Sequence, residues 1–285
     1  MAFLRTIIIA FVLTPLLTTK SYAIEDNLQI LINDVISGSH RAKTNKARDV
    51  YRHPKQTLLF FGIKKNMTVL EILPGRGWYT EILAPILKDE GELTVAGFGK
   101  NHPKDYLRKS HIKFVEHLGK NPKLYEKIKH EVFNDKNYYL KGIAPNSHDM
   151  ILTFRNTHNW IKNGGVENVY RAFHRVLKKG GVLGVVQHRA HNNDNPNESA
   201  NDGYVPESYL INLAKRIGFE LVEKSEINAN LKDNKNHPKG VWTLPPTLRL
   251  GDADMEKYIK IGESDRDDTK IYQKIMRKIC RKFIK

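Results

Sequence analysis

From residue 67 onward the sequence predicts an α/β domain in which a mostly parallel sheet carries helices on both faces, and three observations predict it. Short β-branched or aliphatic runs alternate with helical stretches, the pattern of βαβ units. The first run, Val69-Leu70-Glu71-Ile72-Leu73, is a buried strand carrying one acid, and it passes straight into a Gly-x-Gly turn and a helix. The chain has 285 residues and a single cysteine, Cys280, so no internal disulfide partner exists and an ordinary hydrophobic core must hold it.

Residues 1–23 stand apart from that fold. Arg5 precedes an apolar run over 7–17, and Ser21-Tyr22-Ala23 supplies small residues for cleavage before Ile24, the pattern of an export signal peptide. The run is about half the ~20 residues a membrane-spanning helix needs. The expectation is an exported, periplasmic protein, with inner-membrane association as the alternative. Lysine and arginine number 47 against 31 acidic residues, a net charge of +16, which favours anionic partners. A solvated, lysine-rich surface would give the same balance.

Residues 24–66 read as a basic helical lead-in, with Asp26 as a cap and one helix ending near His53-Pro54 before another carries Leu58 to Phe61. The domain proper is expected over 67–266. Its strands are predicted at 68–73, 93–98, around 131–134, 149–154, 182–188 and 219–227. Helices fall at 81–87, within 104–129, at 166–177 and at 206–217, the third stopped by Lys178-Lys179-Gly180-Gly181. The stretch 190–205 holds seven Asn or Asp residues and reads as a mobile loop or lid, and 228–250 as a long polar loop.

The turn Pro74-Gly75-Arg76-Gly77 is where chemistry is expected. Glycines let backbone approach a ligand closely, and the start of the following helix offers free N–H groups to a carboxylate. A dinucleotide site would want a third glycine, where Trp78 stands, and an acid at the end of the second strand, where Gly97-Phe98-Gly99-Lys100 stands. The strand, acid and turn resemble the cofactor loop of class I S-adenosylmethionine-dependent methyltransferases. With Phe154-Arg155-Asn156-Thr157-His158-Asn159-Trp160, the segment ending Gln187-His188-Arg189, Gly203-Tyr204-Val205 and Trp242-Thr243-Leu244-Pro245-Pro246, the chain resembles, over 37–266, a family of bacterial predicted methyltransferases with export signals.

The resemblance implies a Rossmann-like, seven-strand methyltransferase fold, S-adenosyl-L-methionine as cofactor, and methyl transfer to an acceptor it does not identify. It implies cofactor contacts at Glu71, Leu73, Pro74, Gly75, Arg76, Gly77, Trp78, Phe98, Asn134 and Asn156. Ligands of open parallel sheets bind beyond the carboxyl ends of the strands, which places Asn159, Trp160, Arg189 and Tyr204 around the acceptor. His158 first, and His188 second, are the candidates to take a proton from the nucleophile; each could equally satisfy a loop hydrogen bond. Trp242 is a stacking surface or a core plug, with core favoured. No metal site is expected, since His188-x-x-His191 lies off any predicted helix and no glutamate completes a metalloprotease motif.

Residues 267–285 depart from the family pattern. Asp267-Asp268-Thr269 can cap a helix, and from Lys270 onward Ile271, Ile275, Ile279 and Phe283 recur every four residues beside seven basic ones. This reads as a basic amphipathic helix, suited to an anionic membrane surface, in place of a last strand. The rival function is a non-catalytic exported binding protein of the same fold, acting at an anionic membrane or polymer.

Overall fold

The computed structural model describes residues 15–135 and 138–273. Four helices lead in: α1 (Pro15–Ser37), α2 (Lys43–Lys46), α3 (Asp49–Arg52) and α4 (Pro54–Phe61). Helix α4 starts with Pro54 in its first turn and stops at Gly62, whose φ of 80° lets its N–H reach back to the carbonyls of Leu58 and Leu59. The expected cap at Asp26 is absent, because α1 runs through that position and through the expected cleavage site. No helix among the described residues is long and apolar enough to cross a membrane.

Then come β1 (Thr68–Ile72), α5 (Thr80–Leu87), β2 (Glu92–Gly97), α6 (Asp105–Gly119), α7 (Pro122–Tyr125) and β3 (Lys129–Val132). A small antiparallel pair, β4 (Asn134–Asp135) with β5 (Tyr138–Tyr139), precedes β6 (His148–Phe154). Helices α8 (Thr157–Lys162) and α9 (Val166–Val176) lead to β7 (Leu177–His188). After it follow α10 (Pro196–Ser199), α11 (Glu207–Ile217), β8 (Phe219–Ser225), α12 (Met255–Ile261) and β9 (Arg266–Gln273).

The main sheet has seven strands in the order β3-β2-β1-β6-β7-β9-β8. Strands β3 to β7 in that order run parallel, and β9 runs antiparallel to both β7 and β8. Alternation of side chains builds two cores. Val69 joins one face with Leu58, Phe61 and Ile82, whereas Leu70 joins the other with Tyr170, Phe173 and Leu183. Each of these fully buried side chains is worth roughly 1.5–3 kcal/mol against exposure, so the two faces together carry most of the fold's stability. The chain builds outward from β1 to β2 and β3, then crosses to β6 on the other side. That reversal opens a crevice beyond the ends of β1 and β6.

Two expectations are corrected. Residues 266–273 form the last strand of the sheet, in the middle of an antiparallel trio, and not the start of an amphipathic helix. The polar run conceals a buried strand because its carboxyls find partners inside: Asn228 Nδ2 donates to both carboxylate oxygens of Asp268 at 2.9 and 2.8 Å, and Thr269 Oγ1 donates to one oxygen of Asp267 at 2.9 Å. The domain therefore extends past 266, and the remainder of the expected helix, 274–285, lies outside the described residues. The Asn-rich stretch 190–205 is likewise anchored. Val205 N donates to His188 O at the end of β7 at 2.8 Å, Ala190 N donates to Val205 O at 3.0 Å, and Asn195 caps α10 by accepting from Asn197 N.

Candidate functional site

A cleft of about 340 Å³ opens at the crevice between β1 and β6. Its first half is the turn after β1. Leu73 sits at φ 49° and Gly75 at φ 63°, both left-handed, a conformation that costs a leucine roughly 1–2 kcal/mol. Around a Cβ built on Gly75 there is nothing within 4 Å, so the turn presents open space to the cleft, and the amides of Gly75 and Arg76 take no backbone partner among the described residues. Gly77, at φ 86°, is constrained from the other side: its Cβ would lie 3.0 Å from the Phe114 ring. Behind the turn Glu71 is 1% exposed and accepts from Thr80 Oγ1 at 2.6 Å; burial pushes its carboxyl up to about 7. Asn156 Nδ2 donates to Ile72 O and Thr153 Oγ1 at 3.2 and 3.1 Å, which fixes the ends of β1 and β6 against each other.

The second half comes from four separated segments. Arg48 and Glu263 line the cleft, and Arg48 Nε donates to Glu263 Oε1 at 2.5 Å. Arg266 Nη1 and Arg52 Nε reach Glu263 Oε2 at 2.8 and 3.4 Å. This holds the Glu263 carboxyl well below the usual carboxylate range. Arg155, at φ 62°, lines the cleft from the end of β6. Tyr79 stacks on Phe154 at 3.6 Å between ring centroids, and Trp242 with Pro245-Pro246, joined by a cis peptide, forms the rim.

His158 and His188 lie together on the wall, 5.9 Å apart between ring centroids. Gln187 sets the tautomer of the first. Its Oε1 accepts from Thr157 N at 3.1 Å, which leaves Nε2 to donate to His158 Nδ1 at 3.3 Å. The proton of neutral His158 then resides on Nε2. Burial, reinforced by Lys162, lowers His158 to about 4; His188 is pushed down by burial and then by His158 and Arg155. His188 Nδ1 pairs with Ser264 Oγ at 2.5 Å. Both rings are held in the neutral form, His158 with its N–H at Nε2, because desolvation and nearby cations disfavour imidazolium.

Of the residues expected at the site, the cleft gathers Glu71, Leu73, Pro74, Gly75, Trp78, Asn156, His158, Asn159 and His188. Others lie elsewhere. Arg76 points to solvent and Gly77 packs under Phe114. Phe98 stands at the end of β2 edge-on to His102, and Asn134 lines a second cleft there with Lys100, Lys141 and Glu131, the one carboxylate of that lining. Trp160, 4% exposed, is core, packed on Phe133 and Phe173. Arg189 is committed to Glu226 and Asp265 by four hydrogen bonds. Tyr204 is buried with its hydroxyl on Asp233. None of these three lines the cleft. Trp242, favoured as core, is a half-buried rim residue with Arg249 over its ring at 4.9 Å. Sequence reasoning missed Arg48, Arg52, Arg155, Glu263 and Ser264; Arg155 alone carried a signal, as the neighbour of Asn156 at a strand end.

No family model matches the sequence, and no curated protein matches it. Solved structures do resemble it. The [4+2]-cyclase SpnF is 15% identical with a TM-score of 0.53, covering 89% of this chain and 95% of its own. A Galdieria sulphuraria protein assigned as a sarcosine dimethylglycine methyltransferase is 12% identical, TM-score 0.53, with 80% and 86% covered. A chain of the Haloferax volcanii complex between the Trm112 methyltransferase activator and a methyltransferase is 14% identical, TM-score 0.51, with 82% and 94% covered. At such identities the likeness is one of fold, and it gives the chain the seven-strand, Rossmann-like architecture of class I S-adenosylmethionine-dependent methyltransferases. The presence of a cyclase among the neighbours shows that this fold does not dictate one reaction.

Proposed function

We propose that the chain is an S-adenosylmethionine-dependent methyltransferase whose cofactor binds at the turn after β1. One observation carries this reading: at the switch point of the sheet, Gly75 leaves empty the volume a Cβ would fill, beside two unpartnered amides and the buried Glu71. The residues fit the cofactor's amino-acid end, since the free amides suit its carboxylate and Glu71 would ionise fully beside its ammonium group. When bound, S-adenosylmethionine supplies an electrophilic methyl group on a sulfonium.

The chain's own part is alignment. Asn156 locks the two strand ends that frame the reacting centre, and a wall of buried Tyr79 and Phe154 with half-buried Trp242 excludes water from it. Pre-organisation of this kind supplies several kcal/mol, up to roughly 7–11 in favourable intramolecular reactions. His158 contributes an N–H to orient the acceptor. The family of bacterial methyltransferases with export signals is our finer assignment, and residues 1–23 support export; N-terminal sequencing of periplasmic protein should begin at Ile24, and a start at Met1 in a cytoplasmic fraction would refute it.

Calorimetric titration of the mature chain with S-adenosylmethionine and S-adenosylhomocysteine tests the central reading. Micromolar binding is expected, and folded protein that binds neither would end it. A second reading, a binding protein without turnover, is favoured by Lys100 at the end of β2, where a carboxylate commonly holds ribose. Cofactor binding with no methyl transfer to any cell-envelope extract would select it.

A further inference from the structure

The half of the cleft away from the glycine turn carries more positive charge than its own structure uses. Arg48, Arg52 and Arg266 share the single carboxylate of Glu263. The other nearby acid, Asp268, is already held by Asn228, and burial raises it to about 6. The side chain of Arg155 lines the cleft with no hydrogen bond or ion pair among the described residues, on backbone at φ 62° that is tied to Val186 O through the Arg155 N–H, a conformation uncommon for an arginine. Two further guanidinium nitrogens, Arg52 Nη1 and Arg266 Nε, are buried without a partner, and Arg52 is 3% exposed.

Such an arrangement is costly in the free protein. A buried donor left unpaired costs roughly 1–3 kcal/mol, more for a charged group, and like charges brought together add to it. The strain shows in the arginines themselves: burial and then Arg155 lower Arg52, while burial and then Arg266 lower Arg155 to about 10. An anion in the cleft would give Arg155 and Arg48, which line it, a partner there, and would offset the like-charge repulsion from Arg52 and Arg266 behind them. Arginine's planar fork suits carboxylate and phosphate oxygens, and Ser264 and Asn159 add polar lining beside it.

We propose that this half of the cleft is an oxyanion site, and that the methyl acceptor is a small molecule bearing a carboxylate or phosphate held by Arg155 and Arg48. The acceptor clause rests on the methyl-transfer reading; the oxyanion site does not. A cleft of about 340 Å³, shared with the reacting end of a cofactor, is of a size that suits a small acceptor.

The test uses the mature chain at constant ionic strength. Inorganic phosphate and acetate are titrated calorimetrically with and without saturating S-adenosylhomocysteine, on wild type, Arg155→Met, Arg48→Met and, as a control, Arg76→Met, with melting temperatures to verify folding. One of the two anions should bind in the presence of S-adenosylhomocysteine and lose at least tenfold affinity in Arg155→Met and in Arg48→Met. S-adenosylhomocysteine affinity should stay within about twofold in both, and Arg76→Met should match wild type. Whichever anion binds names the acceptor's charged group. Absence of binding by either anion overturns the proposal. So does competition between anion and S-adenosylhomocysteine with both lost in Arg155→Met, which would put the cofactor's own carboxylate on these arginines. Anion binding retained where S-adenosylhomocysteine never binds would overturn the methyl-transfer reading and support the oxyanion site alone.

Discussion

The two halves of the cleft are built in opposite ways. The turn after β1 is one contiguous stretch, Glu71 to Thr80, whose strain is local: positive φ at Leu73, Gly75 and Gly77 and one buried acid. The arginine half draws on α3, the end of β6, the turn at Gly240–Thr243 with the residues after it, and the approach to β9, and its strain is electrostatic. A local device can be altered one residue at a time. A device assembled from four segments should fail as a unit, because three of its arginines converge on one carboxylate.

The largest expected effect follows from that contrast. Glu263→Gln removes the carboxylate on which Arg48, Arg52 and Arg266 converge, and breaking a buried ion network by deleting one partner costs about 3–5 kcal/mol. For a domain of this size that is a fall in melting temperature of about 10 °C. Because the Glu263 carboxyl is depressed in the folded protein, its contribution is present above the ordinary carboxylate range and fades as pH falls below about 4.5, so wild type and variant should converge in acid. Thermal unfolding at pH 7 and at pH 2, where the gap between wild type and variant should have narrowed most of the way, checks this. A loss under 1 kcal/mol at pH 7 would mean the arginines are held by something else.

The glycines should separate from each other. Gly77→Val meets Phe114 and a disallowed φ, and about 3 kcal/mol of stability should go. Gly75→Val meets only the φ penalty, about 1–2 kcal/mol, but its side chain enters the open volume of the cleft and should weaken S-adenosylhomocysteine at least tenfold. Equal stability loss in both, by denaturant unfolding, would erase the distinction between a ligand-facing and a packing-facing glycine. Glu71→Gln probes the same half by pH. The folded carboxyl is raised to about 7 against 4.5 unfolded, so its neutral form contributes stability below pH 4.5 that is lost as pH climbs through 7. The variant should therefore gain about 3 kcal/mol over wild type at pH 8 and nothing at pH 4, a difference readable from urea midpoints.

The same contrast explains what the sequence disclosed. The βαβ alternation and the motif Glu71 to Gly77 were legible because both are local patterns, and most strand and helix positions followed from them. Strand β9 was not, because Asp267 and Asp268 look solvent-bound until Thr269 and Asn228 are seen to satisfy them. The i+4 spacing from Ile271 suggested a helix, yet Ile271 pairs with Leu183 and Leu221 in the sheet. Tertiary pairing overrode a local period. Trp160 and Tyr204 were misplaced since aromatic residues near strand ends serve core and cleft alike, and only packing separates them. The arginine half was illegible in principle: Arg48 and Glu263 are 215 residues apart, and no local spacing links them.

The smallest expected effect concerns two arginines on either side of that divide. Arg76 lies inside the most readable motif of the chain, between two glycines, yet it is exposed and its side chain makes no hydrogen bond, ion pair or ring contact among the described residues. Arg48 lies in an unremarked basic stretch, yet its side chain is 24% exposed and bound to Glu263 at the cleft. A surface substitution without partners changes stability by no more than about 0.5 kcal/mol. Arg76→Ala should therefore leave the urea midpoint unmoved and shift S-adenosylhomocysteine affinity less than about threefold, since one exposed charge at a helix start is screened by salt. Arg48→Ala should lower stability measurably and remove the anion's stabilising effect. If Arg76→Ala instead cost tenfold in cofactor affinity while Arg48→Ala cost nothing, the side chain within the turn would be a ligand contact, and the division of labour between the two halves of the cleft would have to be redrawn.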